Sequence, residues 1–186
     1  MLQRDLHQSL RARALASHAR IAELARPLDH EYLFRRPLDG GWSVGVVLEH
    51  LCVSAEAYGP LLLGLLRRAR PDASAPLREW APTFFGKLLA RSLEAPRKLP
   101  TPKRVRPGAS PRGGVVELFL AQQLAFVARL DDAARFDWRA LKLTSPLVPR
   151  IVRPLATMNL GDAFHVEVVH VERHARQIER VIAATR

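Results

Sequence analysis

The segment 159–184, NLGDAFHVEVVHVERHARQIERVIAA, determines the fold prediction for this chain. Its apolar residues recur every three or four positions, which is typical of one face of an α-helix. That face also carries two histidines and a glutamine, in the series Ala163, Val166, His170, His174, Gln177, Ile178 and Val181. We therefore predict a long amphipathic helix that places a few polar groups in the core of a helical protein.

Three other long segments have the same helical periodicity, and no segment has a convincing period of two. The long helices are predicted over 2–25, 43–68 and 114–134, with a short helix over 82–93 and one more short turn over 137–143. Ser43 is suited to cap the second long helix. Gly59-Pro60 predicts a kink within it.

Proline-rich segments separate these helices. The segment 95–114 contains five prolines and is long for a loop inside a compact domain, so we interpret it as a crossover on the bundle surface. A second proline-containing link runs over 145–154. Four long amphipathic helices with long connections predict an all-α, four-helix bundle with one or two short extra helices. The whole chain, 1–186, is predicted to form this one domain.

The chain has a formal net charge of +11, which raises nucleic acid as a candidate partner. The arginines are scattered, however, and the one basic concentration has no interleaved aromatic residues of the kind that single-strand binders use. It consists of Arg97, Lys98, Lys103, Arg104, Arg106 and Arg112. We interpret it as a solvated basic loop, with contact to a polyanion left as the alternative.

The sequence also bears on location. No run of about 18 uncharged apolar residues predicts a transmembrane helix, and the charged N-terminal segment does not resemble a signal peptide. Cys52 is the single cysteine, which does not suit a disulfide-stapled secreted domain. We expect a cytoplasmic protein without a membrane partner.

Two histidines lie four residues apart on the last predicted helix. His170 and His174 therefore leave the same face about one turn apart, a spacing that lets two imidazole rings bind one ion. A buried polar side chain without a partner costs about 1–3 kcal/mol. A shared metal ion would satisfy both rings, although an isolated pair at this spacing also occurs by chance.

His50 interrupts the apolar face of the second long helix, between Val46 and Ser54. Alone it would more often be a satisfied core histidine than a ligand. Together with His170 and His174 it predicts a three-histidine metal site that leaves coordination positions for water or substrate. Gln177, one turn beyond His174, is predicted to support a ligand by hydrogen bonding.

Helical phase separates other ionisable side chains from this trio. His165 projects about 140° around its helix from His170, and Cys52 points nearly opposite His50. We interpret the four remaining histidines as solvent-facing or packing residues, namely His7, His18, His30 and His165. For three carboxylates, the position around the helix does not decide whether they face the trio. They stay candidates for a further ligand or a hydrogen-bond partner: Glu49, Glu167 and Glu172.

Two motifs in the chain resemble a known family. The stretch 38–44, LDGGWSV, followed by 48–51, LEHL, is similar to the GGWS…HL signature of the DinB/YfiT-like metal-binding proteins. The stretch 170–178, HVERHARQI, is similar to their H-x3-H-x2-Q-I ending. Lys98-Leu99-Pro100 and Pro107 also lie where that family has an irregular segment, so the resemblance covers nearly the whole chain.

The resemblance implies a four-helix bundle of unusual connectivity with a site for nickel, zinc or a related ion. It implies His50, His170 and His174 as the ligands, the same trio that helical phase indicates. It also implies a homodimer. Several relatives are thiol transferases, or isomerases, that depend on low-molecular-weight bacterial thiols, whereas many others have no known activity.

These expectations lead to one main hypothesis and two alternatives for function. The main hypothesis is a metal-dependent thiol transferase acting on a small-molecule thiol and an electrophilic substrate, because a bound divalent ion lowers the pKa of a coordinated thiol. The first alternative is a non-catalytic stress-response protein that binds metal and contacts a polyanion through its basic surface. The second is a metal-dependent hydrolase, which is less favoured because no carboxylate is clearly placed as its base.

Overall fold

The computed structural model describes residues 1–96, 99–108 and 111–185, apart from the side chains of residues 150 and 152. Arg97 and Lys98, which belong to the predicted basic loop, lie outside the described residues, as does Arg186 at the end of the predicted domain.

The described residues form six α-helices and two short strands. The helices are α1 (Gln3–Ala25), α2 (His30–Phe34), α3 (Val44–Arg68), α4 (Phe84–Glu94), α5 (Val115–Ala133) and α6 (Leu160–Thr185). The strands are β1 (Lys142–Thr144) and β2 (Thr157–Asn159). Single 3-10 turns occupy Ala75–Leu77 and Lys103–Val105, and a longer one occupies Arg150–Leu155.

The four long helices form the predicted bundle. Helices α1 and α3 each pack against both α5 and α6, and α4 packs on the outer side of α6. One apolar cluster joins the start of α3 and of α5 to the end of α6. A second joins α1, the end of α5 and the start of α6 around the fully buried Trp138. The all-α prediction is therefore confirmed.

Helix α3 begins where the sequence predicts, because the Ser43 hydroxyl accepts a hydrogen bond from the Val46 amide. The helix then continues through Pro60. By length and composition α3 could also cross a membrane, which is weak evidence because buried core helices pass the same test. Its most apolar window is 44% buried within the bundle, where α5 and α6 cover it.

Two local features differ from the sequence prediction. His30, which lies between the helices predicted over 2–25 and 43–68, is the first residue of the five-residue helix α2. Asp29 caps this helix by accepting from the Tyr32 amide at 2.8 Å. The predicted short turn over 137–143 ends in β1, which pairs antiparallel with β2. Three-residue strands are too short to show a period of two, and their pairing joins segments that are distant in sequence.

Asp162 fixes the start of α6. Its carboxylate accepts hydrogen bonds from the Thr83 hydroxyl at 2.7 Å and from the Thr83 and Asn159 amides at 3.0 Å. Asn159 in turn accepts from the Trp80 indole at 3.0 Å and from the Asp162 amide at 2.8 Å. These bonds tie the segment before α4 to the first turn of α6. The register of α6 within the bundle is therefore held by buried polar contacts as well as by apolar packing.

The close approach of Gly86 to Asp162 gives a test of this arrangement. A Cβ at Gly86 would overlap the Asp162 carboxylate, which three hydrogen bonds keep in place. We expect Gly86→Ala to lower the free energy of unfolding by about 1–3 kcal/mol. Urea denaturation followed by circular dichroism measures the change.

Gly64 supplies the matched control, because nothing lies within 4 Å of a Cβ at that position of α3. Gly64→Ala should stabilise the protein by about 0.5–1 kcal/mol through helix propensity alone. Equal effects of the two substitutions would contradict the role given to the Asp162 contacts.

Candidate metal centre

Three histidines from two helices meet inside the bundle. His50 of α3 and His174 of α6 are buried, and His170 of α6 is partly exposed. The Nε2 atom of His170 lies 3.1 Å from the Nε2 atoms of both His50 and His174. One ring nitrogen from each residue lies within 4.8 Å of the others. The structure thus brings together the three histidines that helical phase selects.

These separations suit the coordination of one ion. Imidazole nitrogens bind zinc at about 2.0–2.1 Å, so two of them at tetrahedral or octahedral angles are about 2.8–3.4 Å apart. The two separations of 3.1 Å fall within this range. The cluster could therefore hold a divalent metal without large movement of the side chains.

Hydrogen bonds at Nδ1 of His50 and His174 determine which ring nitrogen is left to bind a metal. The Nδ1 atom of His50 lies 2.7 Å from the Val105 carbonyl, and that of His174 lies 2.8 Å from the Gln177 side-chain oxygen. A carbonyl oxygen only accepts, so each Nδ1 carries the proton and donates it. Each Nε2 then presents its lone pair to the centre of the cluster. Outer hydrogen bonds of this kind orient the histidines of metal sites.

Burial keeps the three rings neutral. Loss of hydration lowers the pKa of His50, lowers that of His170 well below its usual value and lowers that of His174 to about 3. Repulsion between the neighbouring imidazoles adds to the effect at His170 and His174. All three rings are therefore in the protonation state that a metal requires at neutral pH.

The GGWS motif supports the site from the start of α3. Gly40 has a positive φ of 73°, which glycine adopts without strain, and Ser43 caps the helix. Between them, the Trp42 ring packs against the His50 ring with centroids 5.2 Å apart. The motif thus begins the helix that carries His50 and covers one side of that histidine.

Val105 contributes a backbone carbonyl to the site, a contact that the sequence does not reveal. It is buried at the end of the 3-10 turn Lys103–Val105, inside the segment interpreted as a solvated basic loop. Its neighbours Lys103, Arg104 and Arg106 are exposed, but its carbonyl reaches His50. Every residue has such a carbonyl, so no side-chain pattern could identify this one.

The remaining histidines lie outside the cluster. His7 bonds to Asp131 at 2.9 Å, His30 packs on Phe34, and the partly buried His165 lies edge-on to Trp80 at 6.3 Å. His18 is also not among the clustered residues. These positions agree with the interpretation of the four as packing or solvent-facing side chains.

The three carboxylates left open by helical phase have different surroundings. Buried Glu49 accepts from Arg112 Nε at 2.9 Å, and Glu172 accepts two hydrogen bonds from Arg13. Both are thus engaged in ion pairs. Glu167 is different, because burial raises its pKa to about 7, with partial compensation by the charge of Arg129. It is the carboxyl best suited to exchange a proton near neutral pH.

Acid should destabilise the metal-free protein through these histidines. The pKa of His174 is near 6.5 in an unfolded chain and about 3 in the folded one. The contribution of neutral His174 to the free energy of unfolding is complete above pH 6.5. It is lost as the pH falls toward 3, at no more than about 1.4 kcal/mol per pH unit. Between pH 7 and pH 5, the free energy of unfolding of His174→Gln should fall by about 1–2 kcal/mol less than that of the wild type.

Urea denaturation with a chelator present, repeated over that pH range, measures this difference. His30→Gln replaces an exposed histidine and should follow the wild type. A His174→Gln variant with the same pH dependence as the wild type would show that His174 does not resist protonation in the folded state.

Comparison with known proteins agrees with this architecture. No curated protein matches the chain. A solved structure of YfiT from Bacillus subtilis, described as a probable metal-dependent hydrolase with an unusual four-helix bundle topology, aligns with a TM-score of 0.59 and 16% identity. The alignment covers 94% of this chain and 85% of YfiT, and at this identity it shows a common fold. A family model described as the DinB superfamily matches residues 14–178. The chain therefore belongs to the DinB superfamily.

Proposed function

We propose that the chain is a metal-dependent enzyme that transfers a small-molecule thiol to an electrophilic substrate. The observation that carries the proposal is the set of three neutral imidazoles with converging Nε2 atoms. Within the described part of the chain, the cluster contains no fourth histidine, cysteine or carboxylate. Closed structural zinc sites use four protein ligands, whereas catalytic sites keep a position for water or substrate.

Nickel or zinc is the proposed ion, bound by His50, His170 and His174. Imidazole nitrogen is a ligand that both metals accept. The bound ion would supply a positive charge that lowers the pKa of a coordinated thiol or water. Gln177 and the Val105 carbonyl would hold the His174 and His50 rings in the orientation that binding needs.

The chain has no reactive thiol of its own to offer. Cys52 is fully buried, and burial raises its pKa to about 12, so its nucleophilic thiolate is not formed near neutral pH. A thiol-transfer reaction here therefore requires a thiol from solution. That thiol would lose its proton, form a sulfur–carbon bond to the electrophile and displace the leaving group.

A metal-dependent hydrolase is the second candidate, and one observation favours it. Glu167 lies one turn before His170 on α6 and has a pKa raised to about 7, which suits a group that accepts a proton from water. YfiT, which has the same fold, is itself described as a probable metal-dependent hydrolase. The two candidates differ in whether a thiol or water is the nucleophile.

A homodimer remains a prediction from the family resemblance. The cytoplasmic location also stays a prediction.

Metal content gives the first test. Protein made without a histidine tag should bind about one equivalent of nickel or zinc, and His170→Ala should abolish that binding while circular dichroism keeps its helical signal. Gln177→Ala should weaken affinity by roughly 10–100-fold, because it removes only the partner of His174 Nδ1. Elemental analysis and competition with a chromophoric chelator provide the measurements.

His165→Ala is the matched control, since His165 is on the same helix but outside the cluster. It should retain full metal occupancy. If His170→Ala also retains it, the assignment of the site is wrong.

The nucleophile gives the second test. The metal-loaded protein should conjugate a bimane or chloro-aromatic electrophile to at least one thiol from a panel, and His170→Ala should be inactive. Hydrolysis of ester or amide substrates without thiol dependence would replace the transferase proposal with the hydrolase. Loss of hydrolysis in Glu167→Gln, with metal content unchanged, would then support Glu167 as the base.

A further inference from the structure

A cavity of about 310 Å³ lies between α3 and α5, with one residue of α6 in its lining. Its walls include the apolar side chains of Leu62, Leu63 and Phe126. Its polar lining includes Arg129 of α5 and Glu167 of α6. This size is at the lower end of the range for small-molecule sites, which typically combine apolar walls with a few polar groups.

Arg129 is the distinctive polar group of this cavity. Its Nε atom is buried and has no hydrogen-bond partner among the described residues. Burial lowers its pKa, and the charge of Glu167 only partly opposes that effect. Buried donors in folded proteins are nearly always hydrogen-bonded, yet no acceptor among the described residues reaches this Nε atom, Glu167 included.

Other arginines show how this chain normally satisfies a guanidinium. Arg13 donates two hydrogen bonds to Glu172, at 2.8 and 2.7 Å, and Arg112 Nε pairs with Glu49 at 2.9 Å. Across the described residues, Arg129 forms no ion pair within 4 Å. A carboxylate with two oxygens is the acceptor that best matches a guanidinium.

Helix geometry places the cavity next to the metal centre. Glu167 of its lining is three residues before His170, so the two Cα atoms are about 4.5 Å apart along the axis of α6. On α3, Tyr58 of the lining lies two turns beyond His50. Ser54 is between them on the same side of the helix, 3% exposed and with an unpartnered hydroxyl. On α6 and on α3, the cavity lining and the histidine cluster therefore lie within about two helical turns of each other.

We propose that this cavity binds the carboxylate-bearing end of the substrate, with the Arg129 guanidinium as its anchor. The ligand class is a small organic carboxylate with an apolar body, which matches the apolar walls and the unpaired cation. The inference that this ligand is the reacting thiol or electrophile rests on the proposed function. Arg129 would act in binding, because its role is to hold the carboxylate and not to touch the reacting atoms.

Direct binding tests the cavity without any metal. Hexanoate should shift the amide resonances of residues 122–129 and 167 saturably in a two-dimensional NMR titration of the full chain. Hexanamide, which has the same shape and no charge, should bind at least about 10-fold more weakly. Equal binding of the two probes, or no binding of hexanoate, would overturn the proposal.

Substitutions in the cavity test whether Arg129 is the residue that binds the hexanoate carboxylate. Arg129→Gln should weaken hexanoate binding at least about 10-fold and leave hexanamide unchanged, and Arg129→Lys should have an intermediate effect. Glu167→Gln should tighten hexanoate binding at pH 8, because it removes a negative charge that repels the ligand. Arg67→Gln, at an exposed position on α3 outside the cavity, is the matched control and should match the wild type.

The experiments distinguish an error in the carboxylate-binding proposal from an error in the proposed metal-dependent function. His170→Ala should still bind hexanoate, so a chain that cannot hold metal leaves the carboxylate site intact. The link to the reaction is tested with cobalt-loaded protein, where N-acetylcysteine should bind more tightly than N-acetylcysteamine, which lacks the carboxylate. Arg129→Gln should remove that preference. Hexanoate binding without a preference between these thiols would overturn the assignment of the cavity to the substrate.

Discussion

Packing of three imidazoles into one small volume is the constraint on which the rest of the site depends. An unpaired polar ring in an apolar core is costly, and a charged one is far more so. The fold meets this cost by keeping the rings neutral and by giving His50 and His174 an acceptor at Nδ1. The Nε2 lone pairs of these two rings then face the Nε2 atom of His170 at 3.1 Å. A cation at the centre would satisfy all three converging nitrogens at once.

The surrounding fold maintains this convergence by fixing the two helices that carry the rings. Ser43 caps the start of α3 and Trp42 covers His50, while Asp162 determines the register of α6. A shift of either helix by one residue would rotate its histidine face by about 100°. Contacts that look purely structural therefore determine whether the three Nε2 atoms can meet.

Much of this arrangement could be predicted because it depends on local periodicity. The helical spacing of His170 and His174, and the apolar face around His50, are visible in the sequence itself. The pairing of β1 with β2 was missed because it joins segments that are distant in the chain. The Val105 carbonyl has no side-chain signal, and the environment of Glu167 depends on α3 and α5. Sequence periodicity predicts which face a residue occupies, whereas tertiary packing decides what it meets there.

The arginines illustrate the same distinction and bear on how the site would be used. The net charge of +11 suggests a uniformly basic molecule, yet Arg13, Arg20, Arg26 and Arg112 are each bound to carboxylates of the chain. Their charge is partly neutralised where they lie. Arg129 keeps an unpaired, buried donor in a cavity beside the histidine cluster. A purely structural metal would need neither an incomplete ligand set nor an adjacent cavity with an unpaired cation. Their presence together favours a centre that acts on a bound small molecule.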